Sequence, residues 1–181
     1  MKRPIKVLSG RIVYQNPWMR VREDIVQFAN GKKGVYGLVE KDDFSLIIPF
    51  DGKKFYLVDQ YRHATKKRML EFPSGNQTAS EHKMVQSAKR ELKEETGFSA
   101  TSWEYIGKIW LAPGHHTQAA HIFLAQSLQK GRNHLDEEEE DLKVRAYTRE
   151  KLYDLIRTGK LSDGPAVAAL HLLHVKHPHL F

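Results

Sequence analysis

The sequence predicts an α/β fold of the α+β kind, a mixed sandwich, and three observations carry that prediction. The first sixty residues are segments rich in β-branched and aromatic side chains, separated by turn signals. One strongly patterned helix follows, near the middle of the chain. Further strands then return, and two short helices close the sequence. Strands, helix, strands and outer helices are the order that covers both faces of a mixed sheet.

Residues 11–14 and 19–28 read as strands, and Ala29-Asn30-Gly31-Lys32 supplies a hairpin turn. Residues 35–39, 44–50 and 54–61 continue the pattern, with Asp51-Gly52 as another turn. Phe55-Tyr56-Leu57-Val58 has the unbroken apolar character of a strand covered on both sides. A helix is predicted over 79–96, with Thr78 and Glu81 as its capping box and Gly97 as its stop. Strands return over 103–111, 120–125 and 142–148. The closing helices are predicted over 149–158 and 165–175, the second started by Ser162 or Asp163 with Pro165 in its first turn. No internal repeat or linker interrupts the chain. Residues 1–42 form a set of N-terminal strands, and residues 43–181 hold the remaining elements.

Composition narrows the class. The chain has 181 residues, 40% hydrophobic and 28% charged, which suits a globular protein with a real core. No apolar run approaches the ~20 residues that span a bilayer. The start, Met1-Lys2-Arg3-Pro4-Ile5, lacks the apolar stretch of a secretory signal. With no cysteine there is neither a disulfide framework nor a thiolate metal site, and a cytoplasmic location is expected. The net charge of +7 is spread thinly, so attraction of small anionic substrates is favoured over nucleic-acid binding. His171, His174 and His177 decorate the end of the last helix, where a surface role is the expectation.

The most informative stretch is Arg90-Glu91-Leu92-Lys93-Glu94-Glu95-Thr96-Gly97-Phe98. At about 100° per residue, Glu91 and Glu95 share a helix face and Glu94 lies beside Glu91. Met84, Val85, Ala88 and Leu92 form the apolar stripe, and Glu95 falls at its edge. Carboxylates at a helix C-terminus oppose the dipole at ~0.3–1 kcal/mol each when exposed. A divalent cation reverses that penalty, and clustered carboxylate oxygens are the hard ligands Mg²⁺ prefers. On spacing alone, a solvated face with salt bridges to Lys89, Arg90 and Lys93 explains the same residues.

This stretch resembles the second half of the Nudix box, R-E-U-x-E-E-x-G-U with U apolar, at every specified position. Glu71-Phe72-Pro73-Ser74-Gly75 resembles the lead-in to that box, and Gly75 with Glu81 matches its first half. The departure lies between the halves, where eight residues separate Glu81 from Arg90 in place of seven. A one-residue insertion at the loop-to-helix junction accounts for it. The resemblance implies a Nudix α/β/α sandwich with a mixed sheet and an N-terminal antiparallel sheet. It implies that Glu91 and Glu95 are the principal metal ligands, with Glu94 supporting them directly or through water and the Ser74 carbonyl as a backbone ligand. Arg90 is then structural, holding Glu81. Mg²⁺, with Mn²⁺ as a substitute, neutralises the pyrophosphate and activates a water for in-line attack.

Features outside the box resemble the ADP-ribose and nucleoside diphosphate sugar pyrophosphatases of that family. In Gln60-Tyr61-Arg62 followed by Glu71-Phe72-Pro73, Arg62 is expected to hold a phosphate through its planar fork, and Glu71 to line the substrate site. Pro113 and Gly114 follow Gly97 at the position where these enzymes carry proline, although Pro-Gly is also an ordinary turn. His115-His116-Thr117-Gln118 lacks an acidic residue that many relatives carry. The run from His134 to Val144 resembles the acidic loop that brings a catalytic glutamate to the metal cluster. Glu140 is the first choice for the general base and Glu138 the second; spacing does not separate them. Asn16-Pro17-Trp18 resembles the N-terminal sheet that pairs with a second subunit, making residues 1–42 a dimerisation element. Trp18 is expected to pack in a core or in that homodimer interface, or else to stack on a nucleobase. The expected reaction is hydrolysis of a nucleotide sugar to a nucleoside monophosphate and a sugar phosphate. The alternatives are cleavage of RNA ends or dinucleoside polyphosphates, and a non-catalytic nucleotide sensor.

Overall fold

The computed structural model describes residues 4–131 and 141–181. The chain divides into two compact units, residues 1–43 with 110–119 and residues 44–109 with 120–181.

The first unit is built on an antiparallel sheet of β1 (Ile5–Asn16), β2 (Met19–Phe28) and β3 (Lys33–Glu40), in that order. Asn16 shapes the first hairpin, its Oδ1 accepting from the amides of Trp18 at 2.9 Å and Met19 at 2.8 Å. Gly31, at φ 83°, closes the second. β1 runs well beyond residues 11–14 because its pairing with β2 continues through two register shifts, Val7/Ser9 and Ile12/Tyr14. The segment 110–119 joins this unit through a bridge between Val39 and His116.

In the second unit, β4 (Phe44–Pro49) lies between a short β7 (Ser74–Asn76) and β9 (Ala119–Lys130), with β8 (Phe98–Trp110) beyond β9. β4 is parallel to β9 and antiparallel to β7. Alternation along β4 and β9 sorts two cores. Ile47 and Phe123, paired in register, pack with Ala88 and Leu92 of α1 (Met84–Thr96). Leu46, Ile48, Ile122 and Leu124 point the other way. They pack with Leu152 and Leu155 of α2 (Arg149–Arg157) and Leu170 and Leu173 of α3 (Gly164–Lys176). This is the α/β/α sandwich. Each such side chain contributes ~1.5–3 kcal/mol by leaving water. A second sheet, β10 (Lys143–Tyr147), β5 (Phe55–Arg62) and β6 (Lys67–Glu71), carries Phe55, Leu57 and Val58 fully buried.

α1 starts later than the capping-box reading predicts. Thr78 and Glu81 do bond to each other, the Thr78 amide donating to Glu81 Oε2 at 2.9 Å and the Glu81 amide to the Thr78 carbonyl at 3.1 Å. They close a turn in the approach loop and leave the helix start to others. There, Gln86 Oε1 accepts from the amides of His82 and Lys83 at 2.8 and 2.9 Å. Gly97 ends the helix as expected, at φ 72°, its amide donating to the Lys93 carbonyl at 2.9 Å. Of the two candidate caps for α3, Asp163 serves, accepting from the Ala166 amide at 2.8 Å.

Candidate active site

Glu91 and Glu95, four residues apart on α1, are 8% and 2% exposed, values at which an ionised carboxylate needs partners. Arg90 supplies one for Glu91 and holds two neighbouring carboxylates as well. Its Nε donates to Glu81 Oε1 at 3.0 Å and its Nη1 to Glu94 Oε2 at 2.7 Å. Its Nη2 lies 2.8 Å from Glu91 Oε1 and donates at 2.8 Å to the Asn76 carbonyl. Burial opposes the Arg90 charge, yet Glu81, Glu91 and Glu94 outweigh it and hold its pKa above the ordinary arginine value. Glu81 shows the converse. Burial pushes its carboxyl up, but the Thr78 amide and Arg90 hold it below the usual carboxylate range. The loop carrying the extra residue therefore still delivers Glu81 to Arg90.

The strand facing this helix is fitted to it closely. A Cβ on Gly75 would stand 1.8 Å from Glu91 Oε1 and 2.1 Å from its Cδ, so only glycine lets the carboxylate lie against the backbone here. The Ser74 amide donates to Glu95 Oε2 at 3.3 Å. Ser74 thus meets Glu95, and Glu94 and Glu91 meet on Arg90, along one helix.

Arg62 and Glu71 meet beside them. Arg62 Nε donates to Glu71 Oε1 at 2.9 Å and Nη2 to Glu71 Oε2 at 2.5 Å, a forked pair. The bond to Glu71, together with the charges of Glu71, Glu95 and Asp163, raises the Arg62 pKa against the cost of burial. Burial raises the pKa of Asp163, with Glu71 adding repulsion, while the Ala166 amide and Arg62 pull it down. The sequence presented Asp163 only as a helix cap; its nearness to Arg62 and Glu71 is long-range and carries no local signal. Two further residues escaped the sequence reading. Ser45 and Ser87, fully buried with Oγ atoms 3.0 Å apart, both reach the Gly75 carbonyl at 3.2 Å. The only hint was a hydroxyl at position 87, four residues before Glu91.

Among the described residues no three His, Asp or Glu side chains are grouped so that they could hold a metal ion between them. The chemistry of the donors nevertheless suits a hard divalent cation: carboxylate oxygens from one helix, Glu91 and Glu95 buried and Glu91 with room beside Gly75. Glu138 and Glu140 lie outside the described residues.

The remaining candidates belong to the first unit. Trp18 is 67% exposed at its hairpin and lines an open cavity of about 450 Å³ with Arg20, Lys41, Asp42 and Thr117. Gly114 accepts through its carbonyl from the Tyr36 hydroxyl, and Pro113 beside it is exposed. Burial, then the charges of Lys41 and His115, lowers the pKa of His116 in the same segment.

The α/β/α sandwich presents buried carboxylates from one helix, and comparison with known proteins gives its family. The NUDIX domain model matches residues 41–170, and the model of the nucleoside diphosphate sugar hydrolase N-terminal domain matches residues 5–39. An ADP-ribose pyrophosphatase from Haemophilus influenzae is 30% identical over 97% of this chain and 88% of its own. A methanol dehydrogenase activator from Bacillus methanolicus is 26% identical over 94% of this chain and 90% of its own. A solved structure of an ADP compounds hydrolase superposes with a TM-score of 0.87 at 24% identity, covering 98% of this chain and 96% of that one, which speaks for the fold. The chain belongs to the Nudix hydrolases, in the nucleoside diphosphate sugar hydrolase group, and is an enzyme of the Nudix pyrophosphatase kind. No helix among its described residues is long and apolar enough to cross a membrane.

Proposed function

We propose that this enzyme hydrolyses the pyrophosphate of nucleoside diphosphate sugars, ADP-ribose or a related nucleotide sugar, to a nucleoside monophosphate and a sugar phosphate. The observation that carries the reading is the seating of Glu91 against Gly75, with Glu94 and Glu95 beside it and the Arg62–Glu71 pair alongside. Glu91, Glu95, Glu94 and the Ser74 carbonyl would hold the ion. Mg²⁺, or Mn²⁺ in its place, supplies neutralisation of phosphate charge and a water acidic enough to attack at neutral pH. Arg90 keeps Glu91 and Glu94 oriented. Arg62, nearly half exposed, can turn its fork from Glu71 to a substrate phosphate, and Glu71 is left to line the same site. Glu140, with Glu138 second, is proposed as the general base. Trp18, Pro113 and Gly114 are proposed contacts for the base and ribose. The choice of a nucleotide sugar is supported by the N-terminal domain match and by relatives that are ADP-ribose pyrophosphatases.

The N-terminal sheet is proposed as the homodimerisation element. Val7, Leu8, Ile12, Val13 and Tyr14 of β1 are each between 41 and 55% exposed, far more apolar surface than a lone edge strand usually leaves open. A second reading, a regulator acting on another enzyme, is favoured by the relative that is a methanol dehydrogenase activator. A panel of nucleotide sugars, dinucleoside polyphosphates and 5′-triphosphate RNA, incubated with Mg²⁺ or Mn²⁺ in ¹⁸O-water, separates these readings. Monophosphate released fastest from a nucleotide sugar supports the proposal, and the labelled product identifies the phosphorus attacked. No release from any sugar overturns it.

A further inference from the structure

The carbonyls of Gly75 and Asn76 are held by hydroxyls from two different elements. Ser45 Oγ on β4 lies 3.2 Å from the Gly75 carbonyl, and Ser87 Oγ on α1 lies 3.2 Å from the carbonyls of both Gly75 and Asn76. Both serines are fully buried, so their protons must be used inside the protein. Each hydroxyl has one proton to give, and the 3.0 Å contact between them couples the two choices. Packing alone does not ask for hydroxyls here: the next residue on α1, Ala88, is equally buried and apolar.

The stretch they hold is short and consequential. β7 pairs with β4 at only three positions, Ser74, Gly75 and Asn76. The same three residues meet α1 through the Ser74 amide on Glu95, the Gly75 backbone against Glu91 and the Asn76 carbonyl on Arg90. Ser87, Glu91 and Glu95 recur every fourth residue, so one face of the helix carries the hydroxyl and both carboxylates. We propose that Ser45 and Ser87 are positioning residues that fix the Ser74–Asn76 backbone against Glu91 and Glu95, and so set the affinity of this site for a divalent cation. The proposal rests on the reading of Glu91, Glu95 and the Ser74 carbonyl as ion ligands.

The test is a titration of the full-length protein with Mn²⁺ alone, followed by electron paramagnetic resonance, with thermal unfolding in parallel. Ser87→Ala and Ser45→Ala should each weaken Mn²⁺ binding about tenfold, the size of effect seen when an outer partner of a ligand is lost. The double variant should lose less than the product of the two, because the hydroxyls act as a pair. Ser87→Cys, a weaker donor of similar shape, should fall between Ser87→Ala and wild type. Should Ser87→Ala not fold, Ser45→Ala carries the same expectation from the strand side. Unchanged Mn²⁺ affinity in both alanine variants, with affinity lost in Glu95→Gln, overturns the positioning role and leaves the ligand reading standing. Mn²⁺ binding that Glu95→Gln does not weaken overturns both.

Discussion

Along the second half of α1, charged side chains are buried or half-buried and matched. Arg90 alone meets Glu81, Glu91, Glu94 and the Asn76 carbonyl, and the backbone opposite lacks a Cβ where Glu91 needs the room. In β1 the reverse holds: a strand of twelve residues keeps its apolar side chains in the open, with Val7, Ile12 and Tyr14 each at least half exposed. Gathering three carboxylates, largely shielded from water, around one arginine is poor economy for stability alone, since well-packed apolar residues usually do as well or better. Leaving apolar side chains open is equally poor for a lone sheet. The two regions depart from the stable solution in opposite directions, and each departure points to what the region does. On the proposed reading the helix is arranged for a ligand with positive charge, and the sheet for another protein surface.

Three substitutions probe that contrast, in falling order of effect. Gly75→Ala places a methyl where the Glu91 carboxylate lies, and the flexible side chain is what gives way. Metal-dependent turnover should fall about 10–100-fold, whereas the thermal midpoint should drop only a few degrees, roughly a 1 kcal/mol effect in a chain of this size. Loss of stability without a matching loss of turnover would break the account of the cradle. Ile12→Asp should leave the first-unit fold and the α1 site untouched but move the protein toward monomer, read by light scattering across concentration. An unchanged mass would remove β1 from any interface.

The smallest effect concerns pH. Because the Glu81 pKa is held below the ordinary 4.5, the unfolded chain binds more protons at Glu81 than the folded one in that window. Its contribution is therefore complete above about 4.5 and is lost as pH falls through the lower, folded value. Glu81→Gln should be less stable than wild type near neutrality, and the gap should narrow on acidification below 4.5. A gap that stays constant with pH would detach Glu81 from Arg90.

How much of this was legible in the sequence follows the range of each interaction. The helix of carboxylates, its Gly97 stop and the Asp163 cap of α3 are local patterns, and they stand in the structure where the residues imply. The start of α1 was misplaced by five residues because Thr78 and Glu81 spend their bonds on a loop turn, which looks in sequence like a capping box. β6 and β7 gave no strand signal; they exist because β5 and β4 supply partners. The Ser45–Ser87 pair joins residues 42 positions apart, and no periodicity within either element reports it. Arg62 was legible as a polar fork at a strand end, but its pairing with Glu71 depends on the β5–β6 register.

The central claim is that α1 holds a divalent cation for cleavage of a nucleotide sugar. Its most direct test compares wild type and Glu95→Gln on ADP-ribose, with Mg²⁺ and with chelator, following release of AMP. Wild type should release AMP only when the cation is present. Glu95→Gln should lose about a hundredfold or more in rate while its unfolding transition stays close to that of wild type. Equal rates in the two proteins, or AMP release that chelation does not slow, would contradict the account.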